Sequence, residues 1–270
     1  MIRMCGTLEP VGGRRLPASH DSLARGVSAP VAGTVSALSL VGGVSFGPKE
    51  GREVVFGRNR PLVHVCVGEN DLRISRHQGT LRCGDGRWWV RNLGAQPIRV
   101  AESCLLFRDE DPVALEPGYT PLFIRGSERR EHLLEIFVSN AELREPGPRH
   151  RHVTSPAMSY DLTDAERLAL VVLGQRYLRH EARPQPWTWD ATARLLAYLQ
   201  PDAGWKRRRV EDLVLGVRQR LSGLGVAGLT ADEIPQPIGN MLNHNLIQEL
   251  MLSGTLVPRD LALIDFGGEG

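Results

Sequence analysis

Two short motifs, Gly57-Arg58 and Ile74-Ser75-Arg76-His77, hold the residues of this chain best suited to binding a small anion. An arginine guanidinium donates paired, charge-assisted hydrogen bonds to phosphate oxygens, and a serine hydroxyl can donate another. Both motifs lie where turns between short β-strands are expected. If those turns meet, Arg58, Ser75 and Arg76 would surround one phosphate group. That arrangement indicates phosphate binding rather than bond cleavage.

The segment around these motifs has the pattern of an antiparallel β-sandwich or barrel. Short runs of β-forming residues alternate with turn clusters, and no helix-length periodic segment separates them. The predicted strands are Thr34–Leu40, Glu53–Phe56, Val63–Val67, Thr80–Cys83, Trp88–Arg91, Ile98–Val100, Leu105–Phe107, Pro121–Ile124 and Leu133–Val138. Trp88 and Trp89 are predicted to face opposite sides of one strand, one in the core and one at the rim.

Three stretches of this segment together resemble the forkhead-associated (FHA) domain, over residues of about 34–139. They are Phe56-Gly57-Arg58-Asn59, Ile74-Ser75-Arg76 and Trp88-Trp89-Val90-Arg91-Asn92-Leu93-Gly94. The resemblance implies an all-β, eleven-strand sandwich whose loops at one end bind phosphothreonine peptides. It implies that Arg58 contacts the phosphate or the adjacent peptide and that Ser75 donates its hydroxyl to the phosphate. Arg76 would make a further phosphate or backbone contact.

The chain departs from the family pattern at two places. The family commonly has a histidine three residues after the serine, where this chain has Gln78. In a later turn, Ala95, Gln96 and Pro97 replace polar residues that hold the phosphothreonine and the peptide backbone, and proline has no backbone N–H to donate. Two hypotheses follow: a domain that binds phosphothreonine, and a degenerate FHA scaffold that docks a partner without phosphate.

The C-terminal half changes to a helical period after a Pro- and Arg-rich linker, residues 143–160. Thr163 and Glu166 have the spacing of a capping box, which predicts a helix to about Arg179. Further helices are predicted over Trp189–Leu199, Trp205–Leu221 and Ile238–Leu252. Residues 161–230 thereby resemble a helix-turn-helix or winged-helix module, followed by a C-terminal helix and tail, residues 231–270.

The third of these helices opens with four consecutive basic residues, Lys206 to Arg209. The candidate DNA contacts are Lys206, Arg207, Arg208 and Arg218. Of these, Arg207, Arg208 and Arg218 are predicted to point outward from the helix. Glu211 and Asp212 are expected on the same side, where they would repel a phosphate backbone. The alternative is a structural or partner-binding helical bundle.

Composition indicates a soluble, cytoplasmic protein with two domains. The chain has 270 residues, of which 41% are hydrophobic and 24% are charged, and its net charge is +2. The overall charge therefore does not indicate binding to nucleic acid or to a membrane surface. Residues 1–30 are predicted to be a mobile arm and residues 31–142 the FHA-like sandwich. The start of the chain lacks the apolar stretch of a signal peptide. The four cysteines, which lack metal-binding spacing, are predicted to be reduced thiols.

No sequence motif of a hydrolase, kinase, nucleotide-binding or zinc enzyme is present. The sequence therefore predicts a protein that is not an enzyme and holds no metal or cofactor, and the resemblance implies a regulatory protein of actinobacterial type. Its predicted partner is a threonine-phosphorylated protein or a Ser/Thr kinase. The helical domain is predicted to couple that docking to transcription through DNA, or to relay it to another protein.

Overall fold

The structure, a computed structural model, describes residues 12–27, 29, 31–101, 104–127, 130–140 and 159–265. The chain divides into two compact units, Met1–His152 and Val153–Gly270. The predicted 143–160 linker lies almost entirely outside the described residues. None of the described helices is long and apolar enough to cross a membrane.

The N-terminal unit is built from β-strands. They are β1 (Gly13–Leu16), β2 (Val35–Ser39), β3 (Gly42–Phe46), β4 (Glu53–Gly57), β5 (Val65–Cys66), β6 (Gly79–Gly84), β7 (Arg87–Asn92), β8 (Ile98–Val100), β9 (Cys104–Leu106), β10 (Val113–Leu115), β11 (Gly118–Arg125) and β12 (Glu131–Val138). One sheet has the order β1-β3-β2-β12-β11-β8-β9, and the other has the order β10-β7-β6-β4-β5. All pairings are antiparallel except that of β4 with β5, which is parallel.

The two sheets pack face to face over one apolar core. Alternate residues of the strands point inward, as a two-layer sandwich requires. The core members include Val35, Phe46, Phe56, Leu81, Trp88, Val90, Leu122 and Leu134. Trp88 is buried and Trp89 is half-buried, as predicted from their alternation. The predicted all-β sandwich is confirmed by this architecture.

Strand β3 was missed by the sequence pattern because it opens with two glycines that resemble a turn. Gly43 packs so closely on β2 that an added Cβ would lie 2.0 Å from the carbonyl oxygen of Ala37. The glycine therefore permits close strand packing at this position. Strands β1 and β10 were also absent from the predicted set.

Residues 12–27 differ from the mobile arm expected for residues 1–30. Strand β1 pairs with β3, and a 3₁₀ turn at Leu23–Arg25 follows it. Leu16 and Leu23 pack against Leu38 and Phe137 in a second apolar cluster. The hydroxyl of Ser22 also donates to the buried Glu135 carboxylate, at 2.5 Å. This segment thus covers the outer face of the seven-stranded sheet.

The described part of the C-terminal unit is helical. It contains α1 (Asp164–Leu178), α2 (Trp189–Leu199), α3 (Arg207–Gly223) and α4 (Met241–Leu252), with 3₁₀ turns at Pro201–Ala203 and Pro258–Leu263. Its core includes Leu170, Val171, Leu196, Val210, Val214, Val217, Leu246 and Ile247. The helical prediction is confirmed, but residues 159–265 include no β-hairpin that would form a wing.

An ion pair joins α1 to α3 within this unit. Thr163 and Glu166 form the predicted capping box at the start of α1. The buried Glu166 carboxylate also accepts two hydrogen bonds from the Arg220 guanidinium, at 2.7 and 3.0 Å. The hydrogen bonds from Arg220 lower the pKa of Glu166. Glu166 is therefore held charged and links the two helices.

Candidate functional site

The Gly57-Arg58 motif lies where the end of β4 approaches the loop before β6. The Arg58 amide donates to the Ser75 carbonyl oxygen at 3.1 Å, and the Asn59 amide donates to that of Arg76 at 3.3 Å. A Cβ on Gly57 would lie 2.4 Å from the Arg76 carbonyl oxygen. Glycine is therefore needed for the two backbones to meet, and their meeting places Arg58 beside Ser75.

The side chains of Arg58 and Arg76 have no acidic partner among the described residues. Arg58 is half-buried, and its Nε atom is inaccessible to solvent and makes no hydrogen bond there. Arg76 is exposed. The neighbouring Arg60, in contrast, pairs with Glu69 at 2.8 Å. Because no described carboxylate pairs with it, the Arg58 guanidinium is suited to an incoming anion.

The Ser75 hydroxyl connects a second loop to this position. Its oxygen accepts a hydrogen bond from the Ala95 backbone N–H at 3.1 Å. The hydroxyl hydrogen has no acceptor among the residues that the structure describes, so it remains able to donate to a ligand. Arg58, Ser75 and the loop after β7 thus meet at one end of the sandwich.

A buried amide pair, Gln78 and Asn92, fixes the geometry of these loops. The Gln78 side-chain N–H₂ donates to the Asn92 side-chain oxygen at 2.9 Å and to the Gln96 carbonyl oxygen at 2.7 Å. Its side-chain oxygen accepts from the Ser75 amide at 3.1 Å. The Asn92 amide also donates to the carbonyl oxygens of Gln96 and Leu106. Three loops are therefore held together by two side chains.

Gly94 makes room for this pair. A Cβ at position 94 would lie 2.4 Å from the Gln78 amide carbon. Gln78, noted in the sequence only as a departure from the family pattern, is thus a central positioning residue. Ala95 and Gln96, which replace polar residues of the family turn, hold the loop through backbone atoms. Their turn is ordered by the buried amides, whereas Ala95 and Pro97 offer a ligand no side-chain donor.

A second buried group, Asp71, anchors the segment that leads to Ser75. Its carboxylate accepts hydrogen bonds from the backbone amides of Ser127 at 2.8 Å and Arg73 at 3.0 Å, and lies 2.9 Å from Nε2 of His132. A Cβ on Gly126 would lie 2.1 Å from that carboxylate. Asp71 therefore ties the loop before Ser75 to the turn between β11 and β12.

These contacts keep Asp71 ionised. Burial by itself would raise the pKa of Asp71, but the hydrogen bonds from His132, Ser127 and Arg73 outweigh burial and lower the pKa to about 2. The pKa in the unfolded chain is about 3.9. A carboxylate with a lowered pKa stabilises the fold fully above the unfolded value, and this contribution is lost as the pH falls toward 2.

We expect Asp71→Asn to lower the free energy of unfolding by about 2 kcal/mol at pH 7, because the ionised acceptor is lost. The difference between the native protein and the variant should shrink as the pH falls from about 4 to 2. Urea unfolding at pH 7, 4 and 2.5 measures it. Asp111→Asn, at an exposed position, is the control and should have little effect. If the difference in free energy of unfolding between the native protein and the variant does not change with pH, the role given to the Asp71 charge is contradicted.

Several solved structures are similar to part of the chain. The N-terminal FHA domain of Rad53p from S. cerevisiae, in complex with a phosphothreonine peptide, is 16% identical, with a TM-score of 0.32; the match covers 39% of this chain and 94% of that one. FHA-1 of Rv1747 from Mycobacterium tuberculosis is 20% identical, with a TM-score of 0.30, covering 40% and 97%. M. tuberculosis EmbR, in complex with a low-affinity phosphopeptide, is 14% identical, with a TM-score of 0.30, covering 43% and 27%.

The N-terminal unit is a β-sandwich made of one seven-stranded and one five-stranded sheet. This architecture is the all-β sandwich that the sequence predicted. No protein-family model matches the chain. No curated protein matches it either.

The candidate DNA-binding residues of α3 are largely engaged with acidic side chains. Nε of Arg207 lies 2.8 Å from Glu211, and its Nη1 lies 3.2 Å from Asp190. Nε of Arg208 lies 3.1 Å from Asp212. These i,i+4 pairs neutralise locally the charge that would attract a phosphate backbone. Glu211 and Asp212 thus lie beside the basic residues, as the sequence predicted.

Lys206 and Arg218 differ from the two paired arginines. Lys206 is exposed, precedes α3 and has no ion pair with a described residue. Arg218 was expected to turn outward, but it is half-buried and its Nε atom has no hydrogen-bond partner in the described structure. Burial lowers the pKa of Arg218. The packing of α3 therefore partly withdraws this side chain from the surface.

The remaining polar clusters indicate no metal centre in the described part of the chain. No group of three or more His, Cys, Asp or Glu side chains is placed there to hold an ion. Cys66 and Cys83 are buried free thiols, Cys104 is an exposed one, and Cys5 lies outside the described residues.

Proposed function

We propose that the N-terminal unit docks a protein partner phosphorylated on threonine, with Arg58, Ser75 and Arg76 binding the phosphate. The observation that supports this most is the half-buried Arg58 without a partner beside the free Ser75 hydroxyl hydrogen. A phosphate group would accept from both donors in charge-assisted hydrogen bonds. The site binds an anion and holds no arrangement of nucleophile and base, so we propose a docking role rather than an enzymatic one.

The rigidity of the loops supports the same proposal. Gln78, Asn92 and Asp71 are buried polar side chains whose hydrogen bonds join four separate loops at one end of the sandwich. Buried polar groups of this kind are costly unless fully hydrogen-bonded. In this chain they position Ser75 and the backbone of Ala95. A preorganised set of donors loses little entropy when a ligand binds.

For the helical unit we propose that it relays the docking event, in the cytoplasm, to a further protein. A coupling to transcription through DNA is the second candidate. The exposed Lys206 at the start of α3 favours DNA contact, whereas the ion pairs of Arg207 and Arg208 weaken it.

Capture of partners from a lysate, with and without prior phosphatase treatment, tests the phosphate requirement. We expect the captured partners to disappear after phosphatase treatment and to be absent with Arg58→Ala. Identical partners before and after treatment would instead support the alternative, a phosphate-independent scaffold with a degenerate FHA domain.

We expect the double variant Arg207→Ala/Arg208→Ala to bind duplex DNA no more weakly than the native protein, because both cations are already neutralised by neighbouring carboxylates. Gel retardation at about 50 and 200 mM salt measures this, since contacts to phosphates weaken steeply with salt. Arg82→Ala/Arg91→Ala removes the same charge from exposed strand positions and serves as the control. Salt-sensitive binding that only the α3 variant loses would establish DNA contact through this helix.

A further inference from the structure

Large apolar side chains are concentrated at the end of the sandwich that carries Arg58 and Ser75. Eight large apolar residues are exposed among the described residues of this unit. Six of them lie on segments at this end: Leu40, Val41, Leu62, Leu72, Leu93 and Phe107. Only Val31 and Leu105 lie elsewhere. Single exposed apolar residues are ordinary, but such a concentration marks an interaction surface.

The hydrogen bonds place these segments together. Leu72 is in the loop anchored by Asp71, and Leu93 directly follows Asn92. Phe107 follows β9, whose last residue, Leu106, accepts a hydrogen bond from Asn92. The turn holding Leu40 and Val41 lies at the end of β2 next to the start of β12. The apolar residues therefore lie at the same end of the sandwich as the candidate phosphate site.

Leu72 lies in the loop that carries Ser75, and Leu93 lies in the loop whose Ala95 amide donates to the Ser75 hydroxyl oxygen. Leu72 is 84% exposed and lies three residues before Ser75, and Leu93 is 41% exposed and precedes the Ser75-bound Ala95 by two residues. An exposed leucine contributes no burial free energy to the fold, whereas covering it with a ligand would be favourable. Exposed arginines such as Arg73 and Arg91, in contrast, are well solvated without a partner.

We propose that the bound partner carries large aliphatic or aromatic side chains within a few residues of its phosphothreonine, and that Leu72 and Leu93 select them. This inference rests on the proposed function, because the phosphate places the peptide against these residues. The charge of Arg58, which pairs with no described carboxylate, matches the phosphate, and the exposed leucines of the adjoining loops match apolar neighbours of the phosphothreonine. Such a ligand would bind the Arg58 charge with its phosphate and cover the exposed leucines with its apolar side chains.

A degenerate phosphothreonine peptide library, with five randomised residues on each side, tests the inference. The native protein should enrich Leu, Ile, Val, Met or Phe about fivefold or more at one position at least. The double variant Leu72→Ser/Leu93→Ser should lose this enrichment and bind the selected peptide about fivefold more weakly, while still preferring the phosphorylated form. Val31→Ser, which alters a 51% exposed residue at the opposite end, should match the native protein.

The outcomes separate the inference from the proposed function. Phosphate-dependent capture without apolar enrichment, enrichment of acidic residues alone, or apolar enrichment that survives in the double variant would overturn the inference and leave the phosphate site intact. Equal capture of phosphorylated and unphosphorylated libraries would overturn the phosphate site, and the inference with it. Unchanged thermal unfolding of both serine variants excludes misfolding as the cause.

Discussion

Replacing Arg58 with alanine is expected to weaken binding of a phosphothreonine peptide by at least about tenfold. A hydrogen bond to a charged group contributes roughly 1.5 to 3 kcal/mol, and 1.4 kcal/mol corresponds to a factor of ten in affinity. Arg58 pairs with no acidic side chain among the described residues, and its Nε is buried without a partner. The variant should therefore unfold at the temperature of the native protein or slightly above. Calorimetric titration and thermal unfolding measure the two effects.

Arg82→Ala is the matched control for this substitution. Arg82 is exposed on β6 and also lacks an ion pair with a described residue, but it lies on the outer face of the five-stranded sheet. Removing it deletes the same charge from the same unit. Equal losses of affinity in both variants would mean that Arg58 acts only through net charge. Equal affinity of native protein and Arg58→Ala would remove Arg58 from the site.

The variant Gln78→Met is expected to lower the free energy of unfolding by roughly 3 to 5 kcal/mol and to abolish measurable peptide binding. Methionine has a similar length but leaves the Ser75 amide without its acceptor. It also removes one of the two hydrogen bonds accepted by the Asn92 side-chain oxygen and one of the two accepted by the Gln96 carbonyl oxygen. An unsatisfied buried amide costs about 1 to 3 kcal/mol, and each of the two other lost hydrogen bonds costs about 0.5 to 1.5 kcal/mol. That sum is a large part of the 5–15 kcal/mol typical of a whole domain. Urea unfolding and titration at a temperature where the variant is folded measure both effects.

Gln96→Met provides the comparison for Gln78→Met. The Gln96 side chain is half-buried and makes no hydrogen bond with a described residue, whereas its carbonyl oxygen accepts two. This control should unfold within about 0.5 kcal/mol of the native protein, as surface substitutions usually do. A folded Gln78→Met protein that keeps full affinity would show that the amide pair does not position the site.

The sandwich was predictable from the sequence because its strands follow simple alternation. The core positions around Trp88 and Leu81 repeat every second residue, and Gly-rich turns separate the strands. The turns that hold the Gly57-Arg58 and Ser75-Arg76 motifs meet, since backbone hydrogen bonds join them, but their binding of phosphate stays a prediction. Strand β1 could not be predicted from local pattern, because it is defined by its pairing with β3, which lies about 30 residues further along the chain.

The positioning residues were harder to predict than the phosphate-binding candidates. Gln78 and Asn92 are ordinary polar residues in sequence, and only their shared burial shows that they hold three loops. Asp71 and His132 are 61 residues apart, so no local spacing joins them. In α3 the four basic residues were evident, but their pairing depends on the orientation of side chains along the helix. Arg218 was misjudged because helix packing, rather than periodicity alone, decides its exposure.

Titration of an isotope-labelled protein with one phosphothreonine peptide and its unphosphorylated form, followed by backbone amide resonances, tests the phosphate site most directly. The proposed site predicts phosphate-dependent shifts of the Arg58, Ser75 and Ala95 amides, which meet at one end of the sandwich. Gly33 and Arg87, at the opposite end, should stay unchanged. Identical shifts with both peptides, or phosphate-dependent shifts confined to the opposite end, would contradict it.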